Sequence, residues 1–223
     1  MSTLRWPIEV LIPENIQPDI APRSLSGPAS VSGKSQVVSS DAGIWKATYE
    51  NFGVIDEQCV LAWRGISTHL EGRLNPILLP ITRKYQPIPD GAEKAGLYDP
   101  VPHDDGMTFY DGSEYQGGVI DVTAAEDAPV RAVSIIVDVT VAGYIQSGQH
   151  FSIGERLYRV RTFDPDTNWL TFRPPLREAV EPGEELNFDD PVVRMRLASD
   201  NEMDLPLAQN FWGFPTVNFI EDV

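Results

Sequence analysis

Leu157-Tyr158-Arg159-Val160-Arg161-Thr162-Phe163 alternates through its centre, with Tyr158 and Val160 on one side and Arg159 and Arg161 on the other. A two-residue period sends successive side chains to opposite faces of an extended chain, so this run reads as a strand with one buried face. Val192-Val193-Arg194-Met195-Arg196-Leu197 repeats the pattern, with Val193, Met195 and Leu197 inward and Arg194 and Arg196 outward. Further strand-like runs lie around these two: Val133 to Val141, Phe151 to Ile153, Trp169 to Phe172, Leu186 to Phe188 and Val217 to Ile220. Turn formers such as Asp164-Pro165-Asp166 and Glu181-Pro182-Gly183 divide them. Short strands at close spacing predict a mostly β chain containing a small barrel or sandwich.

Upstream, Trp45, Ala47 and Tyr49 alternate with Lys46, Thr48 and Glu50, the period of another half-buried strand. Asp56 then offers an N-cap, and Val60, Trp63, Ile66 and Leu70 recur at helical spacing until Gly72 supplies a stop. Asn75 to Ile81 is a short apolar run bounded by Pro76 and Pro80, which predicts an edge strand, because proline cannot donate to a ladder. The first forty residues are broken by Pro13, Pro18, Pro22 and Pro28, yet Trp6, Ile8, Val10, Leu11, Ile12, Ile16, Ile20, Leu25 and Val31 recur between the breaks. An extended arm fits this pattern, either as an edge strand of its own domain or laid on a neighbouring subunit. Residues 85 to 118 carry Asp90-Gly91, Asp105-Gly106, Asp111-Gly112 and Gly117-Gly118 and read as a long ordered loop. Connections that long inside a compact protein are usually functional or interfacial.

The 223 residues carry 17 Lys and Arg against 33 Asp and Glu, a net charge of −16, which argues against nucleic-acid binding through phosphate contacts. No window holds the roughly 18 apolar residues of a membrane span, and Met1 to Pro7 lacks a signal-peptide core, so a soluble protein made in a cytoplasm is expected. Cys59 is the only cysteine, which excludes an internal disulfide and a cysteine-rich metal site; its place in the helix makes it a core residue.

Reactive centres are hard to find. Ser24, Ser26, Ser30 and Ser32 lie in the proline-rich arm, without a nucleophile elbow, and no phosphate-binding glycine loop is present. His69, His103 and His150 are not at metal-ligand spacing. The Asp-rich stretch from His103 to Glu114 lacks the order of a calcium loop; turn formation is the simpler reading and a structural calcium site the alternative. The expectation is therefore no enzyme, no cofactor and no metal. Among the aromatic residues, Trp45 and Trp63 follow strand and helix periods and belong to the core. Trp212, in Asn210-Phe211-Trp212-Gly213-Phe214-Pro215, follows neither. Aromatics outside the core pattern are candidates for interface anchors. The candidate interface residues are Trp6, Tyr110, Tyr115, Phe211 and Trp212.

The strand with Trp45-Lys46-Ala47-Thr48-Tyr49, the helix ending Leu70-Glu71-Gly72-Arg73 and the run Asn75 to Pro80 resemble the strand, helix, strand core of phage tail-tip and distal tail proteins. Gly148 to Gly154, Leu157 to Val160, Phe172 to Val180, Asp190-Pro191 and Val193 to Ala198 are similar to segments of phage and prophage tail proteins. The resemblance covers roughly residues 30 to 80 and 130 to 223. It implies a β-sandwich or tube-like domain from residues 1 to 125, including the helix at 56 to 71 and the loop at 85 to 118. Residues 192 to 223 would complete that domain, and a small β-barrel at 130 to 190 would be inserted in it. The function implied is a ring, usually of six copies, joining the tail tube to the tip hub and host-recognition proteins in a virion assembled in the host cytoplasm. The alternative is a host-surface carbohydrate-binding module of the tail tip. The loop at 85 to 118 has no counterpart in that pattern.

Overall fold

The computed structural model describes residues 3–28, 33, 35–81, 84–89, 120–208 and 212–223. The chain is mostly β and divides into two compact units. The first comprises Met1–Thr82, Glu155–Leu157 and Val192–Val223, and the second Arg83–Gly154 and Tyr158–Pro191. The division falls after Thr82 rather than at 125, because the strand Asp121–Ala124 pairs within the second unit.

In the first unit, β1 (Leu4–Arg5), β2 (Asn15–Ser26), β3 (Val37–Glu50), α1 (Glu57–Leu70) and β4 (Ile77–Pro80) come from the N-terminal part of the chain. The last two strands, which we label β10 (Val192–Leu197) and β11 (Val217–Glu221), come from the C-terminal part. The sheet order is β1-β4-β10-β11-β3-β2. β4 is thus an inner strand, not the edge strand its prolines predict. Two residues of β1 pair in parallel with Ile77 and Leu78, and Pro80 sits at the strand end, where the absence of an N–H breaks little. The N-terminal arm resolves as an edge strand of its own sheet: β2 runs antiparallel to β3, with Pro18 on the outer edge and Pro22 at a break in register.

Alternation in β3 and β10 buries Trp45, Ala47, Tyr49, Val193, Met195 and Leu197 in one core, and α1 adds Cys59, Trp63, Ile66 and Leu70. Asp56 caps α1 by accepting from the Cys59 N–H at 2.7 Å, and Glu71, at φ 48°, ends it in the left-handed conformation just before Gly72. Trp6 lies at the centre of an aromatic cluster, 5.1 Å from Phe52, 5.7 Å from Phe219 and 6.2 Å from both Tyr49 and Trp63. Each buried indole N–H in this core has an acceptor: Trp6 donates to the Leu11 carbonyl at 3.2 Å, Trp63 to Met203 at 2.9 Å and Trp45 to Leu157 at 2.7 Å. Satisfying these donors avoids the desolvation penalty that a buried, unpaired N–H would carry.

The second unit holds β5 (Asp121–Ala124), β6 (Ser134–Val141), β7 (His150–Ile153), β8 (Arg156–Asp164, whose first two residues belong to the first unit) and β9 (Trp169–Arg173). They form a curled sheet in the order β5-β6-β9-β8-β7. Register shifts in the β5–β6 and β8–β9 pairs bend it, as bulges do. Residues 184–187 then bond to both edges. Leu186 N–H donates to Val122 and Ala124 N–H to Glu184, while Asn187 and Ser152 exchange backbone bonds at 2.8 and 2.9 Å. This segment links the two edge strands, and Phe151, Phe172 and Phe188 fill the interior with Tyr158.

Candidate interaction surface

Two surfaces of the first unit stand out. One is the far half of the β2–β3 ribbon. β11 pairs with β3 only from Lys46 to Tyr49, and the Glu221 carboxylate accepts from the Trp45 N–H at 2.8 Å where that pairing ends. From Ala21↔Ile44 outward to Ser26↔Val37, β2 and β3 pair with each other and with no third strand among the described residues. The register break lies at the root of this projection. Between Ala21↔Ile44 and Arg23↔Ser40, one residue of β2 faces three of β3, and Gly43 lies under Ile20 so closely that a Cβ there would be 2.8 Å from its Cγ2. The eight β3 residues beyond the sheet span about 25 Å at ~3.4 Å each. Val37 and Val38, at the outer end, are 62% and 58% exposed.

The other surface lies at the opposite end of β3. There Val54 and Gly213 exchange backbone hydrogen bonds at 3.1 and 3.0 Å, and Phe52 N–H donates to Pro215. This bridge sets Ile55 beside Trp212, with Phe214 one step further along. The three are 64%, 42% and 61% exposed. Gly213 fits because it lacks a side chain: a Cβ would come within 2.6 Å of the Pro206 carbonyl oxygen. Trp212 is also bridged to Ala208.

Of the interface candidates read from sequence, Trp212 is on this surface. Trp6 is not at any surface; its burial in the aromatic cluster removes it from the set and makes it a core residue. Tyr110, Tyr115 and Phe211 lie outside the described residues, as does the Asp-rich stretch from His103 to Glu114. Ile55, Phe214, Val37 and Val38 were not singled out in the sequence as anchors. The detectable signal was an apolar pair, Val37-Val38, set in a Ser- and Gly-rich stretch.

Several described polar groups pair within the units. The outer face of β10 carries a charge network: Arg194 Nε meets Asp222 Oδ2 at 2.8 Å, Arg194 also meets Glu155 at 3.0 Å, and Arg196 Nε meets Asp222 Oδ1 at 2.5 Å. Burial alone would raise the Asp222 carboxyl, but the two guanidinium bonds outweigh it and hold the group below the usual range. In the second unit Arg159 Nε donates to His150 Nε2 at 3.0 Å. Burial, with the Arg159 charge adding to it, lowers the His150 pKa to about 4, so this imidazole is neutral near pH 7. The Cys59 thiol, buried and hydrogen-bonded to the Val10 carbonyl at 3.4 Å, is pushed above its ordinary value by burial, so it has little thiolate character. Among the described residues, no group of three or more His, Cys, Asp or Glu side chains is arranged to hold a metal ion, and no helix is long and apolar enough to cross a membrane.

No protein-family model matches the chain, and no curated protein matches it.

Proposed function

We propose that the chain is a non-enzymatic structural subunit of the distal tail of a phage particle. Copies of it would form a ring connecting the tail tube to the tip hub and host-recognition proteins. The observation that carries this reading is the projecting β2–β3 ribbon. A two-stranded ribbon on its own is marginal in water, so one that extends beyond its sheet with apolar residues at its end gains most by packing against another chain. Such an element is of little use to a freestanding catalyst and suits a subunit that must grip a neighbour. The resemblance of Trp45–Tyr49, Leu70–Arg73 and Asn75–Pro80 to tail-tip proteins supplies the place in the particle and the expected six copies.

Electron microscopy with antibody-labelled gold tests this on particles from producing cells. Gold at the far end of the tail is the expected result, and its absence from purified particles overturns the assignment. A second reading, recognition of host-surface carbohydrate, is favoured by the exposed aromatic rings of Trp169 and Tyr144 in the second unit. Glycan-array binding that disappears on Trp169→Ala would favour it over the first reading.

A further inference from the structure

We infer that the outer face of β8 and β9 binds an acidic saccharide, with Trp169 stacking on a sugar ring and Arg159 and Arg173 holding the sugar's carboxylate or phosphate. The inference rests on the carbohydrate reading above, which it narrows to a ligand charge, and not on the assembly reading.

Strand register lays out this face. Val160, Leu170 and Phe172 are buried in the core of the second unit, so the residues that alternate with them point to the other side of the sheet. Three cross-strand pairs fall there in order along β9: Asp164↔Trp169, Thr162↔Thr171 and Arg159↔Arg173. The register shift between Val160 and Thr162 absorbs Arg161 as an extra residue and so keeps all three pairs on one face. Trp169 and Arg173 are four residues apart on β9, about 14 Å at ~3.4 Å each, a length that a short oligosaccharide spans.

Each pair brings different chemistry. Trp169 is 45% exposed, and its flat apolar ring matches the C–H face of a pyranose. Asp164, opposite it, is taken up by its own turn, accepting from the Asp166 N–H at 3.1 Å and the Thr167 hydroxyl at 2.8 Å. The Thr162 and Thr171 hydroxyls meet at 2.5 Å, which fixes both beside the ring, within reach of sugar hydroxyls. At the far end Arg159 is steadied by its bond to His150, an imidazole that is neutral near pH 7 and adds no charge of its own. Arg173 stands directly opposite, so two guanidinium groups share this end of the face in a chain of net charge −16. Guanidinium groups present planar forks of N–H donors that match carboxylate and phosphate oxygens, which makes an anionic sugar the complementary ligand. An acidic chain repels such a ligand elsewhere, so the local charge decides where it lands.

A glycan array that pairs each uronic-acid or phosphate-bearing oligosaccharide with its neutral counterpart tests this on the full chain. The wild type should retain acidic members and not their neutral counterparts, and the signal should fall as salt is raised. Calorimetry on the best-bound member should then show Trp169→Ala and Arg173→Gln each weakening binding about tenfold or more, with circular dichroism establishing that both variants are folded. Salt should matter much less to the Arg173→Gln chain, a change that lost packing alone would not produce. Equal retention of neutral and acidic members, or unchanged binding by either variant, overturns this inference and leaves the carbohydrate reading standing. A wild-type chain that retains no member of the array overturns both.

Discussion

Replacing Trp45 by Phe perturbs the first unit at one defined point. Trp45 is fully buried, and its indole N–H meets the Leu157 carbonyl at 2.7 Å. Leu157 belongs to a three-residue stretch, Glu155–Leu157, that enters the first unit from a distant part of the sequence and adds its side chain to the same core. Phenylalanine fits the β3 strand and keeps most of the apolar surface, but it removes the donor and leaves a buried carbonyl unpaired. That loss is about 1–3 kcal/mol by itself. The smaller ring leaves a void next to Leu157, which adds about 1 kcal/mol. The total, roughly 2–4 kcal/mol, is large against the 5–15 kcal/mol that typically separates folded from unfolded domains. The assay is equilibrium urea unfolding followed by far-ultraviolet circular dichroism, with Trp169→Phe as the control. Trp169 lies on β9 with nearly half its surface in solvent and should shift stability by less than about 0.5 kcal/mol. A Trp45→Phe change as small as the control's would refute the claim that the Leu157 carbonyl depends on this indole.

Acidification should weaken the second unit through His150. Its pKa in the folded chain is about 4 against an ordinary 6.5, so between these values the unfolded chain binds the proton first. Stability is therefore fully present above pH 6.5 and declines as pH falls toward 4, by at most about 3 kcal/mol; His150→Gln should flatten this part of the urea-unfolding profile against pH. Asp222→Asn should destabilise the first unit by about 1–3 kcal/mol, because one neutral amide cannot match two guanidinium bonds. The same group carries a pH term of opposite origin: its lowered pKa stabilises above the ordinary carboxylate range and is lost as pH falls through the folded value, which unfolding curves of wild type and variant compared at low pH would display. Gly213→Ala should lower the melting temperature, through a shift costing about 1–3 kcal/mol, since its Cβ would press on the Pro206 carbonyl and loosen the bridge to Val54.

What could be read from sequence followed from local period. β10 alternates cleanly, β8 does so from Tyr158 to Arg161, and α1 carries its cap at Asp56 and its apolar positions at three- and four-residue spacing, so all three were legible in the sequence. Cys59 was legible as a core residue for the same reason. β2 was legible as an extended arm, an edge strand of its own domain being one of two readings, because Pro18 and Pro22 interrupt any period; only the sheet reveals that one faces an open edge and the other a break in register. β4 was legible as a strand but not as an inner one, since the two residues of β1 that cover it carry no period. Trp6 was read as an interface anchor because it lies in a proline-broken arm with no strand or helix period to place it in the core. Its neighbours Phe52, Trp63 and Phe219 arrive from three other elements or loops. Trp212 was recognisable because it broke both periods, whereas Ile55 joined it only through the bridge to Gly213, a long-range pairing that local pattern does not encode.

The central claim is that this chain is built to associate with itself, and native mass spectrometry of the purified full-length protein measures that directly. The account predicts a discrete closed assembly at a multiple of 24.8 kDa, with six copies the expected number. A single species at 24.8 kDa at every concentration, with the ribbon intact, would contradict it.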